Sequence, residues 1–254
     1  MQLFSTRIVT NTEIASQYHE LTVPWSDEVP QPGQFLTLRV GHGTDPLLRR
    51  PFAFSKYDHD SGRASIIYER RGKATSTLAA RSPGDEISVL GPLGHPFPAP
   101  ELDAKPILIS GGVGIGPMLF LARALSNSHP ATTGVFGART GSALPTGAIL
   151  ILGVSAILCT DDGSAGIAGT VIDGLSTIAE DPSHVFYACG PNPMMKSVSE
   201  FTQNRGARCW VSMEQIMGCA VGACMGCAIK TKATNKFARV CTEGPVFDAE
   251  NIVW

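Results

Sequence analysis

Residues 106–117 read PILISGGVGIGP. The apolar run 106–110 has the length of a buried strand, and Gly111-Gly112-Val113-Gly114-Ile115-Gly116-Pro117 follows it without a spacer. Pro117 then sits near the first turn of a helix expected over 118–126, where a missing N–H costs no hydrogen bond. Strand, glycine-rich turn and helix in that order are the start of a parallel α/β unit. Such a turn offers backbone N–H groups and a helix N-terminus to a pyrophosphate. Its spacing, G-G-x-G-x-G-P, is not the Rossmann G-x-G-x-x-G, and a tight turn serving only helix–sheet packing has the same composition.

Toward the carboxy terminus, further strands are expected at 133–137, 155–160, 185–189 and 207–211. Helices lie between them, including one over 193–204 closed by Gly206. A second turn, Cys189-Gly190-Pro191-Asn192-Pro193-Met194, also leaves a strand and opens a helix. Two such turns at strand C-termini line one crevice, which is where an open α/β sheet takes a nucleotide. Toward the amino terminus the pattern is all-β. Short alternating segments at 3–9, 20–23, 34–40, 51–56, 64–69 and 86–90 are separated by Pro32-Gly33, Ser61-Gly62 and Pro83-Gly84-Asp85. Six short antiparallel strands predict a small closed barrel. Gly91-Pro92-Leu93-Gly94 and the proline-rich stretch to Pro106 read as its exit. The expected architecture is therefore an antiparallel barrel over 1–100, a parallel-sheet α/β domain over 101–211 and a cysteine-rich segment over 212–254.

That last segment carries Cys219, Cys224, Cys227 and Cys241 as C-x4-C-x2-C and a distant fourth cysteine, the plant-type spacing for a [2Fe–2S] cluster. In MGCAVGACMGC and the residue after it, the small residues Gly218, Ala220, Gly222, Ala223, Gly226 and Ala228 let the backbone close round an inorganic core and aim N–H groups at the sulfurs. A structural zinc site is the rival. Zinc ribbons pair two C-x2-C knuckles, and only one is present here. A disulfide framework does not suit a chain this long without a secretory signal. Cys159 and Cys209 read as buried free thiols.

Composition bounds the rest. The 254 residues are 43% hydrophobic, enough for real cores, and the formal net charge of −2 argues against a nucleic-acid partner. The apolar run 149–159 is broken by Gly153 and Ser155 and is too short to span a bilayer. MQLFSTRIVTN has no apolar signal-peptide core, so a reduced, cytoplasmic setting with no membrane association is expected.

Three separated motifs, Arg50-Pro51-Phe52-Ala53-Phe54-Ser55, the turn from Gly111 to Pro117 and the turn from Cys189 to Met194, resemble the ferredoxin–NADP reductase superfamily. With the four cysteines added, the whole chain resembles the electron-transfer subunits of class 1B dihydroorotate dehydrogenases. Gly91-Pro92-Leu93-Gly94, Thr160-Asp161-Asp162-Gly163-Ser164 and Cys241-Thr242-Glu243-Gly244-Pro245-Val246-Phe247 fit that family too. The resemblance implies an FAD-binding barrel, an NAD-binding α/β domain and a [2Fe–2S] subdomain. It implies that Arg50, Pro51, Phe52 and Ala53 lie against the flavin, with Arg50 near the FAD phosphates or the ring edge. Ile67, Tyr68 and Glu69 continue that site, and Gly72, Lys73, Ala74 and Thr75 open a helix that receives the FAD pyrophosphate. Glu69 stands where a basic residue is common and Ala74 where glycine is usual. Glu69 is expected to turn away or use its backbone, and Ala74 to have φ below zero. Gly111, Gly112, Gly114, Gly116, Cys189, Gly190 and Pro191 would hold NAD(H).

The family role that follows is electron passage between NAD(H) and a separate FMN-containing dihydroorotate dehydrogenase catalytic subunit, through FAD and the cluster. Two copies of each chain would form a heterotetramer serving pyrimidine biosynthesis. The alternatives are a related subunit of a ferredoxin–NAD(P) oxidoreductase or hydrogenase complex, and a zinc-stabilised binding module without redox chemistry.

Overall fold

A computed structural model describes residues 1–254 except Asp27, His42, Thr44 and 233–235. The amino-terminal third contains strands β1 (Gln2–Arg7), β2 (Thr10–Ala15), β3 (Tyr18–Pro24), β4 (Phe35–Arg39), β5 (Arg50–Asp58) and β6 (Arg63–Glu69), helix α1 (Lys73–Ala79) and strand β7 (Glu86–Leu93). They form one antiparallel sheet in the order β1-β7-β4-β5-β6-β3-β2. Its end strands, β1 and β2, are consecutive in the chain and separated only by Ile8 and Val9. The Ile8 N–H donates to the Asp85 carbonyl and the Val9 N–H to the Thr22 carbonyl, so the chain itself stitches the two ends and the sheet curls closed. Alternate residues point inward: Leu21 and Val23, Leu36 and Leu38, Phe54, Ile66 and Tyr68, and Ile87 and Val89 fill the interior, with Leu78 of α1. The sequence pattern predicts six strands; β2 is the addition, a polar TNTEIA stretch whose residues are exposed or half-buried and show no apolar alternation.

The remainder contains β8 (Lys105–Gly111), α2 (Ile115–Leu125), β9 (Thr133–Ala138), α3 (Thr146–Leu150), β10 (Ser155–Thr160), β11 (Ile167–Ala168), α4 (Val171–Ser176), β12 (His184–Cys189), α5 (Asn192–Asn204), β13 (Cys209–Ser212), β14 (Ala228–Lys230), β15 (Phe237–Arg239) and β16 (Val246–Asp248). The second sheet runs β11-β10-β9-β8-β12-β13-β16, parallel except where β16 pairs antiparallel with β13. β14 and β15 form a separate hairpin. The two faces of β8 show the layering. Leu108 joins the core under α2 and α3, with Phe136, Tyr187, Met118 and Ile149. Ile107 and Ile109 join the opposite core under α4 and α5, with Val135, Phe186, Leu175 and Val198. The cluster segment shares this second core through Cys227, Ile229, Val240 and Cys241, and β16 returns it to the sheet edge.

Chain order fixes the crevice. From β8 the chain builds outward through β9 and β10, then returns to lay β12 on the other side of β8. The order therefore reverses between β8 and β12, and the loops after these two strands diverge there. Helix α2, which starts at that point, packs against β5 of the barrel. Phe120 enters the barrel core, and Arg123 Nη1 donates to the Ser55 carbonyl at 3.4 Å.

Candidate nucleotide crevice and cysteine centre

The two predicted turns meet. β8 and β12 pair in register, with Ser110 opposite Cys189. A Cβ at Gly114 would stand 2.1 Å from the Cys189 carbonyl oxygen, one at Gly111 2.5 Å from Met194 Sδ, and one at Gly190 2.7 Å from Met194 Cε. These three glycines let one turn pack on the other. Gly112 and Gly116 differ, because they look toward the barrel. A Cβ at Gly112 would lie 3.4 Å from Tyr18 Oη, and one at Gly116 3.5 Å from Ser55 Cβ and 3.6 Å from Ile67 Cβ. The crevice thus has the glycine turns on one wall and strands β3, β5 and β6 on the other.

On the barrel wall, Arg50 is half-exposed and donates to the Leu48 carbonyl at 3.2 Å; Pro51, Phe52 and Ala53 follow it, half-buried. Ile67 and Glu69 face outward from β6. Tyr68 does not join them. It is fully buried, donates its hydroxyl to Asn11 Oδ1 at 2.8 Å and stacks on His19, so only its backbone borders the crevice. Glu69 does not stand as a bare acid: Arg71 lies 3.9 Å away. At the start of α1, Thr75 Oγ1 accepts from the Arg71 and Gly72 N–H groups at 3.0 and 3.2 Å. Ala74 is a helical residue, so the glycine usual there is not needed.

Sequence reasoning passed over Tyr18 and Glu214. Burial first, then the Glu69 charge, pushes the Tyr18 phenol up to about 12 against the pull of Arg139 and Arg71, so it stays a proton donor at neutral pH. Glu214, from the cysteine-rich segment, reaches within 3.7 Å of Arg71 and ties that segment to the barrel. Cys189 is partly buried, and burial pushes its thiol up to about 12, so it stays protonated at neutral pH. Neither Tyr18 nor Glu214 lies in a motif, and only the folded chain brings them to the crevice. The hydroxyls of Ser55 and Ser110 are buried beside this seam without hydrogen-bond partners among the described residues, as expected where a polar ligand completes the site.

The four predicted cysteines come together as two pairs. Cys227 and Cys241, both buried, stand with sulfurs 3.2 Å apart. Cys219 is half-buried, Cys224 is exposed, and their side chains hydrogen-bond to each other. Among the described residues no three His, Cys, Asp or Glu side chains gather round a single point. Backbone N–H groups aim at the sulfurs as expected. Ala223 and Cys224 donate to Cys219 Sγ at 3.3 Å each, and Gly226 to Cys224 Sγ at 3.5 Å. These donors, led by the Val221 N–H, hold the Cys219 thiol down to about 7, while burial raises Cys241 to about 11. The loop bends through left-handed residues at Ala220, Gly222 and Met225. Two thiol pairs with converging N–H donors fit a two-iron cluster. Arg239 and Glu243, which no motif reading singled out, border the loop: Arg239 Nη1 donates to the Gly222 carbonyl at 3.0 Å.

Comparison with known proteins agrees with this geometry. The family described as the iron–sulfur cluster binding domain of dihydroorotate dehydrogenase B matches residues 214–253. The dihydroorotate dehydrogenase B (NAD+) electron transfer subunit of Geobacillus thermodenitrificans is 39% identical over 97% of this chain and 96% of its own length. That of Desulforamulus reducens is 35% identical over 93% and 92%. The chain belongs to the dihydroorotate dehydrogenase B electron transfer subunit family. As such it is an oxidoreductase component that works with a catalytic partner subunit. Among solved structures, an NADH-dependent reduced ferredoxin-NADP oxidoreductase has a TM-score of 0.86, 28% identity and coverage of 98% of this chain and 90% of its own. Phthalate dioxygenase reductase shares the fold at 21% identity and a TM-score of 0.63, over 79% of this chain and 64% of its own. The barrel followed by a parallel sheet is therefore the expected reductase fold of this electron transfer subunit family. No helix among the described residues is long and apolar enough to cross a membrane.

Proposed function

We propose that this chain carries electrons between NAD and the FMN of a dihydroorotate dehydrogenase catalytic subunit, in a cytoplasmic 2+2 heterotetramer. The observation that carries the reading is the crevice. Two glycine turns converge at the reversal point of the sheet, directly opposite the barrel strands, and Glu214 joins the cysteine centre to the same wall through Arg71. FAD, NAD(H) and a [2Fe–2S] cluster, when bound, supply the conversion between two-electron hydride and one-electron transfer.

The chain's own residues position these groups. Arg50 offers a planar cationic fork to FAD phosphates, and the half-buried Pro51, Phe52 and Ala53 with Ile67 give the flavin an apolar floor. Gly72, Ala74 and Thr75 set the start of α1 at the FAD pyrophosphate, and the backbones of Tyr68 and Glu69 border the ring. Gly112 leaves room for the dinucleotide and Gly116 lets α2 pack closely on β5 and β6 beside it, while Gly111, Gly114, Cys189, Gly190 and Pro191 hold the turns that present it. Cys219, Cys224, Cys227 and Cys241 hold the irons. Residues 1–100, 101–211 and 212–254 are the corresponding FAD, NAD and cluster units.

A second reading, a subunit of a ferredoxin–NAD(P) oxidoreductase, draws on the fold likeness to such an enzyme. The 39% and 35% identities over more than nine-tenths of both chains favour the first. Co-purification with the catalytic subunit decides. The complex is expected to reduce NAD+ with dihydroorotate, whereas the chain alone passes electrons from NADH to artificial acceptors only. Dihydroorotate oxidation by the isolated chain would defeat the subunit assignment.

A further inference from the structure

The cysteine loop has a charged clamp. Arg239 ends β15 directly opposite Ala228, the residue after Cys227, and lies two residues before Cys241. Its Nη1 donates to the Gly222 carbonyl at 3.0 Å. That carbonyl shares a peptide unit with the Ala223 N–H, which donates to Cys219 Sγ at 3.3 Å. A guanidinium on the oxygen draws electron density from the peptide and makes its N–H a stronger donor to the sulfur. Glu243 holds the guanidinium in place. Its carboxylate accepts from Arg239 Nε at 3.0 and 3.1 Å, from Nη2, and from the Arg239 backbone N–H at 2.6 Å.

The clamp is therefore a cation and an anion placed beside one cysteine pair and acting on the other through a single peptide. We infer that Arg239 and Glu243 are positioning residues that set the reduction potential of the cluster, Arg239 raising it and Glu243 lowering it. The inference rests on the two-iron reading of the four cysteines. Adding an electron increases the negative charge on the cluster, so a nearby cation and stronger N–H···S bonds favour the reduced form, and a nearby carboxylate opposes it. The pair is part-exposed, so solvent screens each charge, and removing either member alone still leaves the other without an opposite charge among the described residues.

The test is a redox titration of the whole, cluster-loaded chain, read by the paramagnetic signal of the reduced state and by visible absorption, with iron counted per chain. Arg239→Gln should move the midpoint potential to more negative values, and Glu243→Gln should move it to more positive values. Arg239→Lys, which keeps the charge but loses the fork, should fall between wild type and Arg239→Gln. A merely structural clamp would lower iron content without moving the potential of the clusters that remain. Shifts of the same sign in both Gln variants, or unchanged potentials with full iron content, overturn the inference. Should Arg239→Gln fail to assemble, Glu243→Gln, whose amide oxygen can still accept from Arg239 Nε, decides by the sign of its shift. A wild-type chain without two irons would instead overturn the cluster reading itself.

Discussion

Gly112 and Gly114 lie in one turn, yet a methyl group acts for different reasons at the two positions. At Gly114 it would sit 2.1 Å from the Cys189 carbonyl oxygen, so the two turns must part. Gly114→Ala is expected to cost at least the roughly 1–3 kcal/mol of an overpacked core and to lower the melting temperature together with NADH-driven ferricyanide reduction. At Gly112 there is room, with Tyr18 Oη at 3.4 Å, but φ is +55°. Gly112→Ala should cost roughly 1–2 kcal/mol for the left-handed backbone and act mainly as a raised KM for NADH, because its Cβ enters the crevice. An unchanged KM for NADH in Gly112→Ala, or an unchanged melting temperature in Gly114→Ala, would contradict this division. From the sequence both glycines carried the same expectation, a close approach of pyrophosphate to backbone. The distinction rests on a carbonyl brought from β12, and linear spacing holds no record of that contact. Tyr68 teaches the same lesson: its neighbour Ile67 packs outside the barrel against the α2 core, and the period of two that turns Tyr68 inward is legible only once β6 is known to line a barrel.

At the scale of elements, periodicity performed best in the strands of the parallel sheet. The run expected at 155–160 is β10 itself, and the expected 185–189 differs from β12 by one residue. It failed where burial is slight, at polar β2, and in the cluster segment, where β14, β15 and β16 have three residues each. Pairing of β8 with β12 has a clamp that no strand pattern reveals. Lys105 Nζ contacts Asp181 Oδ2 at 2.6 Å, the Ser183 N–H and hydroxyl donate to the same carboxylate, and the Lys105 N–H donates to the Ser183 carbonyl. Lys105 foremost, then Ser183, holds the Asp181 carboxyl well below the usual carboxylate range. The folded-state pKa is depressed, so the stabilisation is present above the unfolded value of about 3.9 and is lost as pH falls through the lower folded value. Asp181→Asn should therefore melt earlier than wild type at pH 7, and the gap should shrink as pH drops below about 4. A gap that persists unchanged at pH 2 would show that geometry, not charge, carries the effect. The cysteine loop divides similarly. Cys224→Ser, at an exposed position, should bleach the cluster and leave FAD bound, while Cys227→Ser, in the core shared with α4 and α5, should lower the melting temperature as well. Iron content, flavin content and melting curves measured together separate the two.

For the whole molecule, the cysteine centre is graded in burial from one thiol pair to the other. One thiol pair, Cys227 with Cys241, is locked into the core beneath the sheet, while Cys224 of the other pair faces outward. Around that outward side stand Ile216, Val221 and Met225, at 83%, 43% and 54% exposure, large apolar side chains left in water beside a redox centre. Met213 and Met217 of the same segment are buried, so the exposed three are the surface set. Apolar side chains gathered at one exposed site mark an interaction face, in which a few central residues contribute about 2 kcal/mol or more each. Replacing Ile216 and Met225 by Glu places two charges in that face without touching a ligand cysteine. The double variant is expected to keep full iron and flavin content and unimpaired NADH-driven ferricyanide reduction, yet to lose co-purification with the catalytic subunit and hence dihydroorotate-dependent NAD+ reduction. Retained complex formation would place the partner on another face, and the outward thiol pair would then need a different explanation. Loss of iron in the same variant would assign Ile216 and Met225 to holding the loop. Intact cofactors with a lost partner is the one outcome that links the exposed end of the cysteine centre to electron exit from the chain.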